Sequence, residues 1–198
     1  MTSRTATAAD VTPITRIVTL AFAEDPVWGP ALRRSDGTSI DLQPYWRLFV
    51  EGGIRFGTTR IAADGAAASV WLPPGASELS DAQAGLLDEL LENALDQEAR
   101  VALQELYGRF EESRASRPDH YYLSLLATDP DHRGQGRGQV LLAESLALWD
   151  AKGVPAYLES TNAANDHRYV RAGFQPDGGF RAVRDSTWIT AMWRPVGR

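Results

Sequence analysis

An α/β fold of the α+β kind, with a central sheet flanked by helices, is what the 198-residue sequence predicts. Three observations carry that prediction. Apolar residues recur at helical spacing in some segments and as strand-like runs in others. An Asp64-Gly65 pair joins two of those runs, the strongest short hairpin signal. An apolar run ending at Asp129-Pro130 passes through a glycine-rich loop straight into a helical pattern.

Taken in order, the chain starts with a short strand-like piece, and Thr7 with Asp10 then gives a capping-box spacing. Ile14, Ile17, Val18, Ala21 and Phe22 continue one helical face, which should end near Asp25 because Pro26 disfavours helix at the residue before it. Tyr45, Trp46, Phe49 and Val50 predict a short second helix, broken at Gly52 and Gly53. The segment "RIAADGAAASVWLPPG" reads as two strands about the Asp-Gly turn, stopped by Pro73, Pro74 and Gly75. Ser80 and Gln83 repeat the capping-box spacing before a face of Leu87, Leu90, Leu91 and Ala94, and Leu103, Leu106, Tyr107 and Phe110 predict another helix. "HYYLSLLATDP" is a strand, and Leu141, Leu142, Ser145, Leu146 and Trp149 form a helix face closed by Lys152-Gly153. "PAYLEST" is a further strand, "NDHRYVRAG" a short helix, and "FRAVR" with "STWITAMW" a closing hairpin. The last strand fits a sheet edge or a homodimer interface equally.

Composition narrows the function classes. Hydrophobic residues at 43% and charged residues at 23% are ordinary globular values, and the length suits a single domain over residues 1–198. There is no cysteine, so thiolate metal sites are excluded, and the three histidines show no HExxH spacing; no metal is expected. A net charge of −6 argues against a broad nucleic-acid footprint. No apolar run reaches membrane-spanning length and "MTSRTATAAD" has no apolar signal core, so a soluble, cytoplasmic protein is expected.

The glycine loop is the most informative stretch. Backbone N–H groups at a helix N-terminus carry partial positive charge and suit a phosphate or pyrophosphate, and glycines let the backbone approach it. Arg133 and Arg137 can add charge-assisted contacts. The loop lacks the Lys-Ser/Thr ending of a P-loop, and Gln139 stands where a Rossmann fingerprint counted from Gly134 and Gly136 needs its third glycine. Both common nucleotide motifs therefore fail.

"RGQGRG", Arg133 to Gly138, satisfies the R/Q-x-x-G-x-G/A pattern of the GNAT superfamily N-acetyltransferases, between an apolar strand and a helix, and resembles their acetyl-CoA pyrophosphate loop. "LESTNAANDHRYVRAGF" is similar to their second acetyl-CoA segment, with Asn165, Tyr169, Gly173 and Phe174 in the matching places. "AFAEDP", "VWLPPG", "GVPAYLES" and "STWITAMWR" extend the likeness along the chain, toward puromycin N-acetyltransferase-like members. Two departures stand out: Thr128 where valine is usual, and "NAAN" where a basic or proline-containing stretch is usual.

The resemblance implies a GNAT fold, a mixed and mostly antiparallel sheet splayed around an acetyl-CoA site. It implies cofactor contacts from Leu126, Ala127 and Thr128, from Arg133, Gly134, Gln135, Gly136, Arg137 and Gly138, and from Asn165, with a bulge in the strand that bears Thr128. It puts Tyr169 where the family has its general acid, and Trp28, Tyr45, Trp46 and Trp71 in segments that wall the acceptor side. Glu159 and His120 are the candidate bases, since carboxylates and imidazoles are the usual ones. The implied activity is acetyl transfer from acetyl-CoA to a primary amine of a small molecule by direct attack in a ternary complex, an antibiotic being one such amine. A noncatalytic acyl-CoA-binding sensor and a protein N-terminal or lysine acetyltransferase are the alternatives.

Overall fold

The computed structural model describes residues 3–197. Seven strands, β1 (Ser3–Thr5), β2 (Arg60–Ala62), β3 (Ala67–Leu72), β4 (Tyr121–Thr128), β5 (Ala156–Ser160), β6 (Gln175–Arg181) and β7 (Trp188–Arg194), form one sheet in the order β1-β2-β3-β4-β5-β7-β6. Every neighbouring pair is antiparallel except β4 with β5. The helices are α1 (Val11–Phe22), α2 (Trp28–Ala31), α3 (Gln43–Ile54), α4 (Asp81–Ala94), α5 (Gln97–Ala115), α6 (Arg137–Ala151) and α7 (Asp166–Arg171).

The apolar stripes sort the helices onto two faces. Ile14, Ile17 and Val18 of α1, Trp46 and Val50 of α3, and Leu103 and Leu106 of α5 form one buried cluster with Val70 and Leu125 of the sheet. On the other face Leu142, Leu146 and Trp149 of α6 pack with Trp71, Leu123, Leu158 and Met192. β3 is buried along its whole length because both layers cover it. No helix among the described residues is long and apolar enough to cross a membrane.

The expected caps form. Ser80 Oγ accepts from the Gln83 N–H at 3.3 Å while Gln83 Oε1 accepts from the Ser80 N–H at 3.1 Å. The Asp10 carboxylate accepts from the Thr7 N–H at 2.8 Å and also holds Arg4 at 2.6 Å.

Four expectations need correction. The helix through Trp46 does not break at its glycines but runs on to Ile54. A Cβ on Gly52 would overlap the Glu78 carbonyl oxygen, and one on Gly53 would overlap Val70, so these glycines are where helix meets loop and sheet, not where helix stops. The first helix ends at Phe22, short of Asp25, whose side chain instead caps the turn into α2. The final strand is not an edge: β7 lies between β5 and β6, and β6 is the edge on that side. β6 begins at Gln175, not Phe180, and 182–187 make the turn, closed by the Ala182 N–H donating to Thr187 at 2.8 Å.

Candidate active site

A gap in the sheet organises the site. β4 and β5 pair through Tyr121–Ala156 and Tyr122–Tyr157 only, and beyond those residues the two strands part. On its other side β4 stays paired with β3 from Tyr122 to Thr128, with a register shift that leaves Ser124 as an extra residue. This is the bulge the resemblance implies, and it sits where the gap opens.

The register decides which β4 groups face the gap. Asp129 donates its N–H to Ala66 at 2.9 Å, so Asp129, Ala127 and Leu125 direct N–H and C=O toward β3. Leu126 and Thr128, between them, present theirs to the open side. A cleft of about 980 Å³ fills the gap, lined by Leu126 and Thr128 but not by Ala127.

At one end of the cleft stands the glycine loop. Asp129 anchors its start, accepting from Arg16 at 2.8 Å and from the Asp131 N–H at 3.1 Å. Gly134 and Gly136 have φ of +76° and +74°, a left-handed conformation that glycine adopts without strain, and Gly136 leads directly into α6. Among the described residues, the N–H groups of Gly134, Gln135, Gly136, Arg137, Gly138 and Gln139 donate to no protein acceptor. Six consecutive free donors at a helix N-terminus make a cradle that fits a pyrophosphate, and Arg133, Arg168 and Arg171 border the same cleft. Arg137 is engaged elsewhere: its Nε donates to Asp64 at 2.7 Å, and it also bonds Gln135, whose residue does not line the cleft. Asn165 stands at the start of α7 and borders the cleft, but its oxygen accepts from Arg168 at 3.0 Å and caps no amide. The cap at this turn comes from Asn162, which accepts from the Ala164 N–H at 3.0 Å.

At the other end, on the α5 side of the sheet, aromatic side chains converge. Trp28 stacks on Phe110 with centroids 5.4 Å apart and planes 12° from parallel, and meets Trp46 edge-on at 5.6 Å. The Tyr45 and Tyr107 hydroxyls share a hydrogen bond of 2.7 Å, and burial raises both phenols well above their ordinary pKa, so both stay protonated. Trp28, Tyr45 and Trp46 thus stand together on the cleft. Trp71 does not: it is fully buried on the opposite face against Trp149, because alternation along β3 turns it toward α6.

The titratable candidates separate in the same way. Tyr157 bonds Ser113 of α5 at 2.7 Å and Leu158 packs in the α6 layer, so Glu159 shares the face of Tyr157, the acceptor side. Among the described residues, both Glu159 oxygens are buried without a hydrogen bond. Burial pushes this carboxyl up to about 7, against the opposing pull of the nearby Tyr157 and Tyr122 hydroxyls and the Arg114 guanidinium. Tyr169 packs with the α6 layer, edge-on to Phe174 at 6.2 Å, and also lines the cleft. Burial, with the charges of Asp25 and Asp166, pushes its phenol up to about 12. His120 lies outside the cleft, with its ring against Tyr157 and Trp193 and its Nδ1–H donating to the Pro118 carbonyl at 2.7 Å. Burial lowers its pKa below the ordinary histidine value.

The cleft therefore runs through the sheet, with a carboxyl that titrates near neutrality on one face and a phenol held protonated on the other. That arrangement can take a proton from a group in the aromatic chamber and give one to a group on the glycine-loop side. Sequence reasoning missed Asp25, Glu78 and Arg114. Ser124 at the bulge donates to Glu78 at 2.5 Å, and Arg114 stands 3.8 Å from Glu78 over the Tyr122 ring. Only Asp25 carried a signal, the Asp-Pro pair that starts a turn. Among the described residues no group of three or more His, Asp or Glu side chains is arranged for a metal ion.

Comparison with known proteins agrees with this geometry. Residues 94–176, from the end of α4 to the start of β6, match the family model described as an acetyltransferase (GNAT) domain. A histone acetyltransferase HPA2 and related acetyltransferase from Corynebacterium glutamicum is 24% identical, with a TM-score of 0.66 over 100% of this chain and 97% of that one. The Drosophila melanogaster polyamine N-acetyltransferase, which forms N-acetylagmatine, is 15% identical, with a TM-score of 0.68 over 98% and 99%. Arylalkylamine N-acetyltransferase 2 from Aedes aegypti is 16% identical, with a TM-score of 0.67 over 99% of both chains. Residues 94–176 are thus similar to a GNAT acetyltransferase domain, and the chain shares the fold of these solved structures.

Proposed function

We propose that the protein is an acetyl-CoA-dependent N-acetyltransferase that acetylates a primary amine of a small molecule within a ternary complex. The observation that carries this reading is the cleft through the split sheet, with the glycine-loop cradle at one end and Glu159 in an aromatic chamber at the other. When bound, acetyl-CoA supplies an acyl group activated as a thioester. The free amides of Gly134 to Gln139 hold its pyrophosphate, and the open edge of β4 at Leu126 and Thr128 pairs with its pantetheine arm. The Thr128 N–H is the candidate donor to the acetyl oxygen; losing such a donor costs about 3 kcal/mol in other enzymes.

Glu159 is the base in this reading. Ionised above about pH 7 and short of hydrogen-bond donors, its carboxylate takes a proton from the acceptor ammonium. Tyr169, protonated up to about pH 12, gives its phenolic proton to the departing sulfur. The new bond joins amine nitrogen to acetyl carbon, the carbon–sulfur bond breaks, and the second proton of the acylated nitrogen leaves to solvent as the amide forms, while solvent restores the Tyr169 proton and takes that of Glu159. His120, outside the cleft, takes no part.

The walls of Trp28, Tyr45, Trp46 and Phe110 favour an amine on an apolar or aromatic body over an extended peptide. The small amines acted on by the polyamine and arylalkylamine enzymes support that class, and the resemblance to puromycin N-acetyltransferase-like members adds aminonucleosides to it.

The deciding experiment is calorimetric titration with acetyl-CoA, with ATP and NAD as controls, combined with thiol release over arylalkylamines, polyamines, aminonucleosides, aminoglycosides and peptides. Selective binding with amine-dependent thiol release is the expected result. Binding without release across the panel makes the protein a sensor, a peptide-only response makes it a protein acetyltransferase, and no binding removes the reading.

A further inference from the structure

The carboxylate of Asp25 joins two parts of the molecule that the sheet leaves apart. Asp25 lies between α1 and α2, and α1 packs against β4, on one side of the gap. Thr161 directly follows β5, on the other side. Asp25 Oδ2 accepts from the Thr161 hydroxyl at 2.7 Å, while Oδ1 accepts from the N–H groups of Val27 and Trp28, both at 2.9 Å. Both Asp25 and Thr161 line the cleft.

A capping role alone would use only Oδ1. The second oxygen instead reaches a residue 136 positions away, across the opening through which the two substrates would meet. α2 spans only Trp28–Ala31, too short to be stable by itself, so external anchors must fix the indole at its first position. Its anchors are ring contacts, led by the stack on Phe110 and the edge of Trp46, and on the backbone the Asp25 carboxylate.

We propose that Asp25 is a positioning residue: by bonding Thr161 across the gap and the first turn of α2 at once, it holds the Trp28 wall of the acceptor chamber in register with the β5 side that bears Glu159. The inference rests on the transferase reading and adds to it the residue that couples the two halves of the site.

Three variants test it. Thr161→Val removes the bond across the gap and leaves the cap. Asp25→Asn keeps an oxygen for the two amides and a polar group for Thr161. Asp25→Ala removes both functions. Thr161→Val is expected to raise the KM of the amine about tenfold, the value of one hydrogen bond to a charged group, with kcat and the Kd of acetyl-CoA little changed. Independently of turnover, the Val27 and Trp28 amides should exchange with deuterium faster in Thr161→Val than in the wild type. Asp25→Asn should recover most of what Asp25→Ala loses. Unchanged amine KM and unchanged amide exchange in Thr161→Val overturn the proposal. So does a loss of kcat in Asp25→Asn as deep as in Asp25→Ala with KM unmoved, which would make Asp25 a reacting group. If Asp25→Ala fails to fold, Thr161→Val still decides. A wild type that binds no acetyl-CoA defeats the transferase reading, whereas an active wild type with an indifferent Thr161→Val defeats only this inference.

Discussion

Glu159 concentrates both the reactivity and the cost of the site in one side chain. Its carboxyl, raised to about 7 by burial, must be ionised to act as base, and Tyr169 keeps its proton up to about 12. In the ternary complex kcat should therefore rise with pH through about 7 and then level, and Glu159→Gln should lose that limb with most of the rate, at least about a hundredfold. A pH profile of kcat at saturating substrates checks this. Stability carries the opposite sign. The folded pKa lies above the unfolded value of 4.5, so the native state binds the extra proton between the two. The contribution is fully present below about 4.5 and is lost as pH rises through about 7. Glu159→Gln should match the wild type near pH 4 and exceed it above pH 7 by an amount on the order of 3 kcal/mol, read from denaturant midpoints across pH. At this scale the sequence offers Glu159 and His120 as equal candidates, because a carboxylate and an imidazole are both ordinary bases. What separates them is position along the strands: His120 precedes β4 at the end where β4 and β5 pair, whereas Glu159 lies beyond that pairing, at the gap; Trp71 is turned into the core by alternation along β3.

Glycines at the scale of single elements behave in two ways that look alike in the sequence. Gly52 and Gly53 sit inside α3 where loop and sheet leave no room for a Cβ, whereas Gly85 in α4 and Gly108 in α5 have nothing within 4 Å. Gly52→Ala should destabilise by about 1–3 kcal/mol by forcing Glu78 away. Gly85→Ala should stabilise by about 0.5–1 kcal/mol by relieving backbone entropy. Thermal unfolding of the two variants beside the wild type gives the comparison. Helix periodicity, the capping box at Ser80 and the Asp64-Gly65 turn are local features, and each element they predict is present. The expected break at Gly52 fails because the reason for those glycines, Glu78 and Val70, lies outside their own helix.

Over the whole molecule the split between β4 and β5 turns a sheet into a binding cleft. Two paired positions hold the halves together, and every backbone group beyond them on the open side lacks a strand partner. Hydrogen exchange should therefore find the Leu126 and Thr128 amides less protected than that of Ala127, which faces β3. Saturating acetyl-CoA should protect those two and the Gly134 to Gln139 amides while leaving Ala127 unchanged. Protection confined to the loop would mean that the open edge of β4 is not used. The sequence by itself determined the α/β class, the strand, glycine loop and helix in succession, the free helix N-terminus and the lack of cysteine. Those depend on neighbours a few residues apart, where backbone sterics and periodicity act directly. Only the tertiary structure decided that β7 enters the sheet between β5 and β6, that Glu159 and Tyr169 face the cleft from opposite sides, and that Asp25 bridges to Thr161. Those facts follow from strand order, register and burial, which join residues well beyond one turn or hairpin, 136 positions apart for Asp25 and Thr161, and leave no periodic trace in the chain.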